Sequence, residues 1–414
     1  MHDNTSHEKI GRIKRIWALA LLLFATACSC AKAPPPAEPV TITFAYPDAE
    51  EAYYETLIAE FNEIYPHITI EDVPDYSFNE DVDAFFVSPF GLSNLLEQEA
   101  LLNLAPLIQQ DDSFDLDGFY PATLELFTRD DQLWAIPSDV TVRVFYYNQD
   151  LFDQYDVPYP QPDWTWSDFL DTAQALRDPQ ADIFGYGYAD QYLDPLTFIY
   201  QNGGSILDDT QNPTRMTFDD PRTIEAMEWY AALIHDHNVA PRRGQFYAIG
   251  GNVRAGVYLN QIGMWMGWID ERGGSGVSSS DWPGEWKMRW GMVPLPRGEQ
   301  AAVLASTNGY AISADTPYPK ACWQWITFLS SQVRTPSDMI PPRRSLAESA
   351  EYRALVGDNV VSVAQASLED AVLLSPTLIE FGDISIYGRA IDAIVTGNVP
   401  AQEALTRAQK QAED

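Results

Sequence analysis

The chain has 414 residues, with 25 Lys+Arg against 60 Asp+Glu and a formal net charge of −35 at pH 7. A field of that sign argues against nucleic acid or an anionic lipid surface as a partner, and the length exceeds what one hydrophobic core usually serves, so two lobes are expected. Of three cysteines only Cys322 lies in the body, which leaves no intrachain disulfide in the folded part, and no CxxC spacing offers a metal site.

In chain order, Lys9, Arg12, Lys14 and Arg15 precede the apolar run from Ile16 to Ala25. The run is too short to span a bilayer comfortably and has the pattern of a secretory signal. Ala25-Thr26-Ala27-Cys28 resembles a bacterial lipoprotein cleavage box, in which Cys28 becomes the lipidated N-terminus. Cys30 is a weaker second candidate, and an uncleaved anchor is the alternative. Residues 1–27 are expected to be a signal peptide and 28–39, rich in Pro and Ala, an extended tether. The body is expected outside the cytoplasm.

Val40 to Ala45 alternates into a strand, Ala52 to Tyr65 has helical spacing, and Ile68-Thr69-Ile70 makes a second strand. This β-α-β order implies a parallel sheet with covering helices. A third strand, Ala84 to Val87, leads into Ser88-Pro89-Phe90. Ligands of open parallel sheets bind beyond the carboxyl ends of strands, so Tyr46, Asp48, Ser88 and Phe90 are candidate contacts. Each taken alone is a turn residue. A helix is expected over Leu92–Leu104.

Leu133 to Phe152 is the most informative stretch. Val140 to Tyr147 is β-branched and aromatic almost throughout, as in a strand covered on both faces, and Asn148 can cap a turn or helix after it. It is either a core strand or a crossing between two lobes, with Ser138, Asp139 and Thr141 facing a cleft. Trp164 and Trp166 stand at a helix start with Thr165 or Ser167 as cap, and are expected to pack. Phe184–Tyr188 is a short strand, Asn202-Gly203-Gly204 a helix stop, and Arg222–His237 a helix whose two histidines do not share a face for a metal.

Ile262 to Trp268 is an apolar strand leaving through Trp268-Ile269-Asp270. A Trp beside a carboxylate suits a sugar, the ring stacking on C–H groups and the carboxylate accepting from hydroxyls. Alternatively, Trp268 plugs the lobe. Gly273–Asp281 is a Gly/Ser-rich mobile loop, Trp290–Pro294 a strand, and Ser306-Thr307-Asn308 a turn into another, with Asn308 a further candidate. Pro341–Ser345 is a rigid crossing segment, and helices are expected from there to Ala408. Cys322 is expected in the core.

Together WAIPSDVTVRVFYYNQDLF, WTWSDFL, QNGG, FDDPRTIEAMEWYAALI, WGMVPLPRG, STNGYAIS and PPRRSLAESAEYR, in this order, resemble the extracellular solute-binding proteins of bacterial carbohydrate uptake systems, the maltose-binding-protein-like family. The resemblance covers residues 40 to 408. It implies an α/β, two-lobe periplasmic-binding-protein-like fold (type II) with a multi-crossing hinge: 40–139 with 306–342 as the N-terminal lobe, 140–305 with 343–414 as the C-terminal lobe. It further implies a monomer that closes on a carbohydrate for ABC permease subunits, anchored to the membrane by lipid, without catalysis or cofactor. By resemblance, contacts fall at Tyr46, Asp48, Ser88, Phe90, Asp139 and Thr141, at Gln191 and Tyr192, and near Trp268. Near Phe381–Tyr387, where relatives often carry an aromatic, no Trp stands. Glu71–Asp83 is short for the helix the family inserts there, which implies a trimmed first lobe. A carbohydrate-cleaving enzyme and a ligand sensor are the alternatives, and a polyamine or glycerol phosphate the alternative ligands.

Overall fold

The structure, a computed structural model, describes residues 38–74, 82–209, 213–274, 282, 284–374 and 384–413. The signal region, Cys28, most of the tether, residues 275–281 of the Gly/Ser-rich loop and residues 381–383 lie outside these.

Strand β1 (Val40–Tyr46) is followed by the helix Glu51–Ile64, then β2 (Ile68–Pro74) and β3 (Ala84–Val87). The β-α-β unit is therefore present, and β2 runs four residues beyond Ile70. A small hairpin, β4 (Thr128–Arg129) with β5 (Gln132–Leu133), leads to β6 (Ala135–Pro137). Next come β7 (Thr141–Asn148), β8 (Phe184–Gly187), β9 (Ile262–Trp268) and β10 (Trp290–Val293). The last strands are β11 (Val303–Ser306), β12 (Gly309–Ile312) and β13 (Ala371–Leu373).

Two main sheets result. The first has the order β2-β1-β3-β12-β6 and the second β13-β11-β7-β9-β8, with β10 also paired to β7. Each sheet sits in its own buried cluster. Phe44, Tyr54, Tyr310 and Trp325 centre the first, where Phe44 meets Trp325 edge-on with ring centroids 5.4 Å apart. Phe145, Phe169, Tyr186 and Phe198 centre the second. Burying each such ring is worth roughly 1.5–3 kcal/mol, so each lobe has the means to hold its own shape. Cys322 is fully buried in the first cluster, as expected.

The stretch Leu133–Phe152 divides between the sheets: β6 belongs to the first and β7 to the second. All eight residues of β7 are buried: β9 pairs along one side and β10 and β11 along the other, while Phe169 packs on the Phe145 face and Trp286 on the Tyr146 face. The chain passes between sheets at Ser138–Val140, returns at Thr307–Asn308 between β11 and β12, and passes again near Ile340. These crossings are hydrogen-bonded side by side. Ser138 N donates to Asn308 O, and Val140 and Ile340 exchange both backbone bonds, each at 2.8 Å.

Two sequence expectations need correction. The helix foreseen over Leu92–Leu104 is shorter, Pro89–Glu97, because Glu99 takes a left-handed φ of 55° and Leu101 then bridges Ser313 as extended chain. Helices do not fill the C-terminal region alone, since β13 pairs parallel to β11 at the edge of the second sheet.

Candidate functional site

The registers put several strand ends on one edge of each sheet. In the first, Gly309 lies opposite both Val87 and Pro137, so the exits of β3 and β6 and the start of β12 coincide. In the second, Thr141 pairs with Ser306, Arg143 with Trp268, and Gly187 with Trp265. The start of β7 and the exits of β8, β9 and β11 therefore share the edge from which the crossings leave.

On the second sheet's edge, Trp268 is half-buried, and Tyr146 Oη donates to its carbonyl at 2.8 Å and to that of Ile269 at 3.2 Å. Directly across the ladder the Arg143 guanidinium lies 5.3 Å from the Trp268 ring centroid, within cation–π range. Arg143 is itself buried and forms an ion pair with the equally buried Asp194, which also accepts from Tyr186 Oη at 3.0 Å. Burial pushes the Asp194 carboxyl up to about 7, against the pull of Arg143. Burial works against the Arg143 charge too, but Asp194, Asp190 and Glu271 outweigh it and hold Arg143 above its ordinary value. Thr141 Oγ1 donates to the buried Asp270. Next to it Glu271 is tucked over Gly267, 3.9 Å from Arg254, and burial pushes its carboxyl up to about 7. Arg272 donates to the carbonyls of Ile269 and Asp338, tying this edge to the third crossing.

Asp139 lies between crossings and is fully buried. Its carboxylate accepts from Ser138 Oγ at 2.6 Å and from Asn308 N and Nδ2, each at 3.2 Å, while Thr307 Oγ1 donates to its carbonyl. Burial pushes its carboxyl up to about 6, these hydrogen bonds opposing. The side chain thus joins the first crossing to the second. Asn308 is half-buried and shares this linkage.

Of the remaining candidates, Asp48 and Phe90 are exposed at the exits of β1 and β3, and Ser88 is half-buried as the residue before the helix Pro89–Glu97. Tyr46 is corrected to a core position: it is 1% exposed, its ring lies 4.4 Å from that of Tyr54, and its hydroxyl donates to Asp72. Gln191 donates to Asp392, and the carbonyl of Tyr192 accepts from Tyr387 Oη, so both are held by the helix Ile384–Val395. The structure therefore brings together Thr141, Trp268 and Asp270, with Asp139 and Asn308 at the crossings beside them; Tyr46 is in the core, Gln191 is bonded to Asp392, and the side chain of Tyr192 stays exposed.

Sequence reasoning missed Arg143, Asp194, Glu271 and Arg254. The available signal was Arg143 itself, one charge inside an otherwise apolar two-sided strand, which demands a buried partner. A cavity of about 680 Å³ opens beside Val140 and Ala305, lined also by Tyr120, Thr123, Arg344 and Glu369 but by none of the candidate ligand residues. Among the described residues, no group of His, Cys, Asp and Glu is placed to hold a metal ion, and no helix is long and apolar enough to cross a membrane.

Residues 46–333 match the family model of the bacterial extracellular solute-binding proteins. An arabinooligosaccharide-binding protein of Halalkalibacterium halodurans is 24% identical over 199 residues, 45% of this chain and 44% of that protein. One from Bacillus subtilis is 21% identical over 244 residues, 55% and 54% of the two chains. The chain thus matches about half the length of these relatives. Among solved structures, an ABC substrate-binding protein from Listeria monocytogenes in complex with cycloalternan superposes with a TM-score of 0.71 at 20% identity, covering 91% of this chain and 98% of that one. The sugar-binding protein MalE from Xanthomonas citri gives 0.72 at 18%, covering 90% and 96%. UgpB from Mycobacterium tuberculosis in complex with glycerophosphocholine gives 0.71 at 19%, covering 91% and 98%. The fold is the two-lobe type II arrangement of periplasmic binding proteins, with a hinge of several crossings. With its fold and more than half its length matched, the chain belongs to the bacterial extracellular solute-binding protein family.

Proposed function

We propose that this chain captures a sugar or oligosaccharide between its lobes and delivers it to an ABC permease, tethered outside the cytoplasm by a lipid on Cys28. The observation that carries the sugar reading is the edge built by Trp268, Asp270 and Thr141. A half-buried indole with its backbone pinned by Tyr146 offers a flat apolar face, and the hydroxyl and carboxylate beside it offer polar partners. Sugars present an apolar C–H face and hydroxyls in the same way. The arabinooligosaccharide-binding relatives support the ligand class. The three crossings support lobe closure, in which the ligand selects the closed arrangement. In this reading residues 40–139 with 306–342 form one lobe and 140–305 with 343–414 the other. Asp48, Ser88, Phe90 and Asn308 contribute from the first, and Thr141, Trp268 and Asp270 from the second.

The test is a thermal-shift screen of the body from Val40 with arabino-, malto- and cello-oligosaccharides, followed by calorimetry. A bound ligand raises apparent stability by mass action. Saturable binding of at least one saccharide is expected; stabilisation by spermidine or glycerol 3-phosphate alone would refute the sugar reading. Radiolabelled palmitate incorporated in a bacterial host by the full chain, and lost in Cys28→Ser, checks the anchor.

A further inference from the structure

We infer that the cleft selects by charge, accepting an uncharged or amine-bearing ligand and rejecting one that carries a phosphate or carboxylate. This rests on the capture reading above and narrows it. The second sheet's edge carries the half-buried Asp190 and the buried Asp270 and Glu271, with the buried Asp139 at the crossing, while Asp194 is spent on Arg143. Its arginines are turned onto acceptors of the protein itself. Arg143 is paired with Asp194, Arg254 stands 3.9 Å from Glu271, and Arg272 donates to the carbonyls of Ile269 and Asp338. On the first lobe's side, the segments 46–51, 87–90, 137–139 and 306–309 hold Asp48, Glu50, Glu51 and Asp139 but no Lys, Arg or His.

An anionic group is bound by charge-assisted donors, most effectively a guanidinium fork presented to it. Here an incoming phosphate or carboxylate meets more acceptors than donors, between low-dielectric walls that strengthen the repulsion. The chain's overall charge of −35 adds the same sign at longer range. A hydroxyl, by contrast, can donate to Asp270 or the other acceptors, and an ammonium group gains from the field. The Arg143 guanidinium beneath Trp268 does not alter this, because Asp194 neutralises it at hydrogen-bonding distance.

The experiment uses matched derivatives of arabinotriose and maltotriose in which the reducing end is opened in every case: the alditol (neutral), the aldonate (anionic) and the 1-amino-1-deoxyalditol (cationic). Dissociation constants are measured by calorimetry at pH 7.5 in 20 mM and 500 mM NaCl. The aldonate is expected to bind at least about fivefold more weakly than the alditol at low salt, with the gap closing at high salt as screening sets in. The amine is expected to match or exceed the alditol. An aldonate that binds as well as the alditol at 20 mM overturns the inference, and so does a gap indifferent to salt. If neither trisaccharide series binds, spermidine and glycerol 3-phosphate decide the charge rule separately from the sugar reading. Binding of the amine alone retains the rule and removes the sugar, binding of the phosphate overturns the rule, and binding of neither overturns both.

Discussion

Replacing Asp139 by Asn separates the two roles its position allows. The side chain is fully buried and takes three donors, from Ser138 Oγ and from Asn308 N and Nδ2, yet burial still holds its carboxyl up at about 6. An unperturbed Asp titrates near ~3.9, so the shift is about two pH units, and at ~1.36 kcal/mol per unit the folded state disfavours the ionised form by up to about 3 kcal/mol. The stability that Asp139 contributes is fully present below its unfolded value and is lost as pH rises through about 6. An Asn of the same shape keeps an acceptor for Asn308 and never ionises. Asp139→Asn should therefore match the parent only below about pH 3.9, exceed it by up to about 1 kcal/mol near pH 4.5, and exceed it at pH 8 by up to about 3 kcal/mol. The assay is calorimetric melting of the unliganded protein at pH 4.5, 6 and 8. A variant that melts below the parent at pH 8 would mean that the anion is welcome between the crossings, and the burial argument would fail. Unchanged stability at every pH with lost sugar affinity would instead make Asp139 a ligand contact.

Trp268→Ala should weaken sugar binding by about 1 kcal/mol or more, on the scale of a lost aromatic contact; unchanged calorimetric affinity would remove Trp268 from the site. Arg143→Met leaves Asp194 buried without its cation and should destabilise by about 3–5 kcal/mol, whereas adding Asp194→Leu should recover part of the loss; additive losses in urea titrations would count against a coupled pair. In Gly267→Ala the new Cβ would come within 2.6 Å of Glu271 Oε2 and 3.0 Å of the Tyr146 ring, so a destabilisation of about 1–3 kcal/mol by overpacking should appear in melting curves. The melting temperature of the free protein should peak near about pH 4, around the unfolded carboxylate values. Above that, Asp139, Asp194 and Glu271, all raised by burial, withdraw stability as pH climbs through 6 to 7. Below it, carboxylates held low withdraw theirs as pH falls, chiefly Asp208, held at about 2 by the Thr214 hydroxyl, and Asp153, lowered by Arg289. A melting temperature that rises steadily to pH 8 would contradict this.

The division of Leu133–Phe152 between two sheets was legible because its composition changes within the stretch. Pro137 and Ser138-Asp139 interrupt the apolar run, and the residues after Thr141 are too apolar for a strand with a wet face. The rule that ligands lie beyond strand ends pointed to the edges from which the crossings leave but could not orient side chains. At Tyr46 the sequence held the answer, since Ile42, Phe44 and Tyr46 alternate onto one face, and that face is the core. Asp139 was placed at the crossing correctly, but its partner Asn308 is 169 residues away, beyond the reach of local pattern. The same distance problem hid the Arg143–Asp194 pair. A buried charge announces that it needs a partner, without saying which of many carboxylates supplies it.

The crossings hydrogen-bond side by side, Ser138–Val140 flanked by Asn308 on one side and Ile340 on the other. Three such segments make a strip, and a strip has one soft direction. Bending it across its flat leaves the lateral bonds intact, whereas shearing or twisting it within its plane would stretch the Ser138–Asn308 and Val140–Ile340 bonds together. If the lobes close on a ligand as proposed, this strip restricts them to a motion resembling the turn of a page. Successive openings then present the same two edges in the same alignment, and recognition does not have to search over relative orientations before it can select for chemistry.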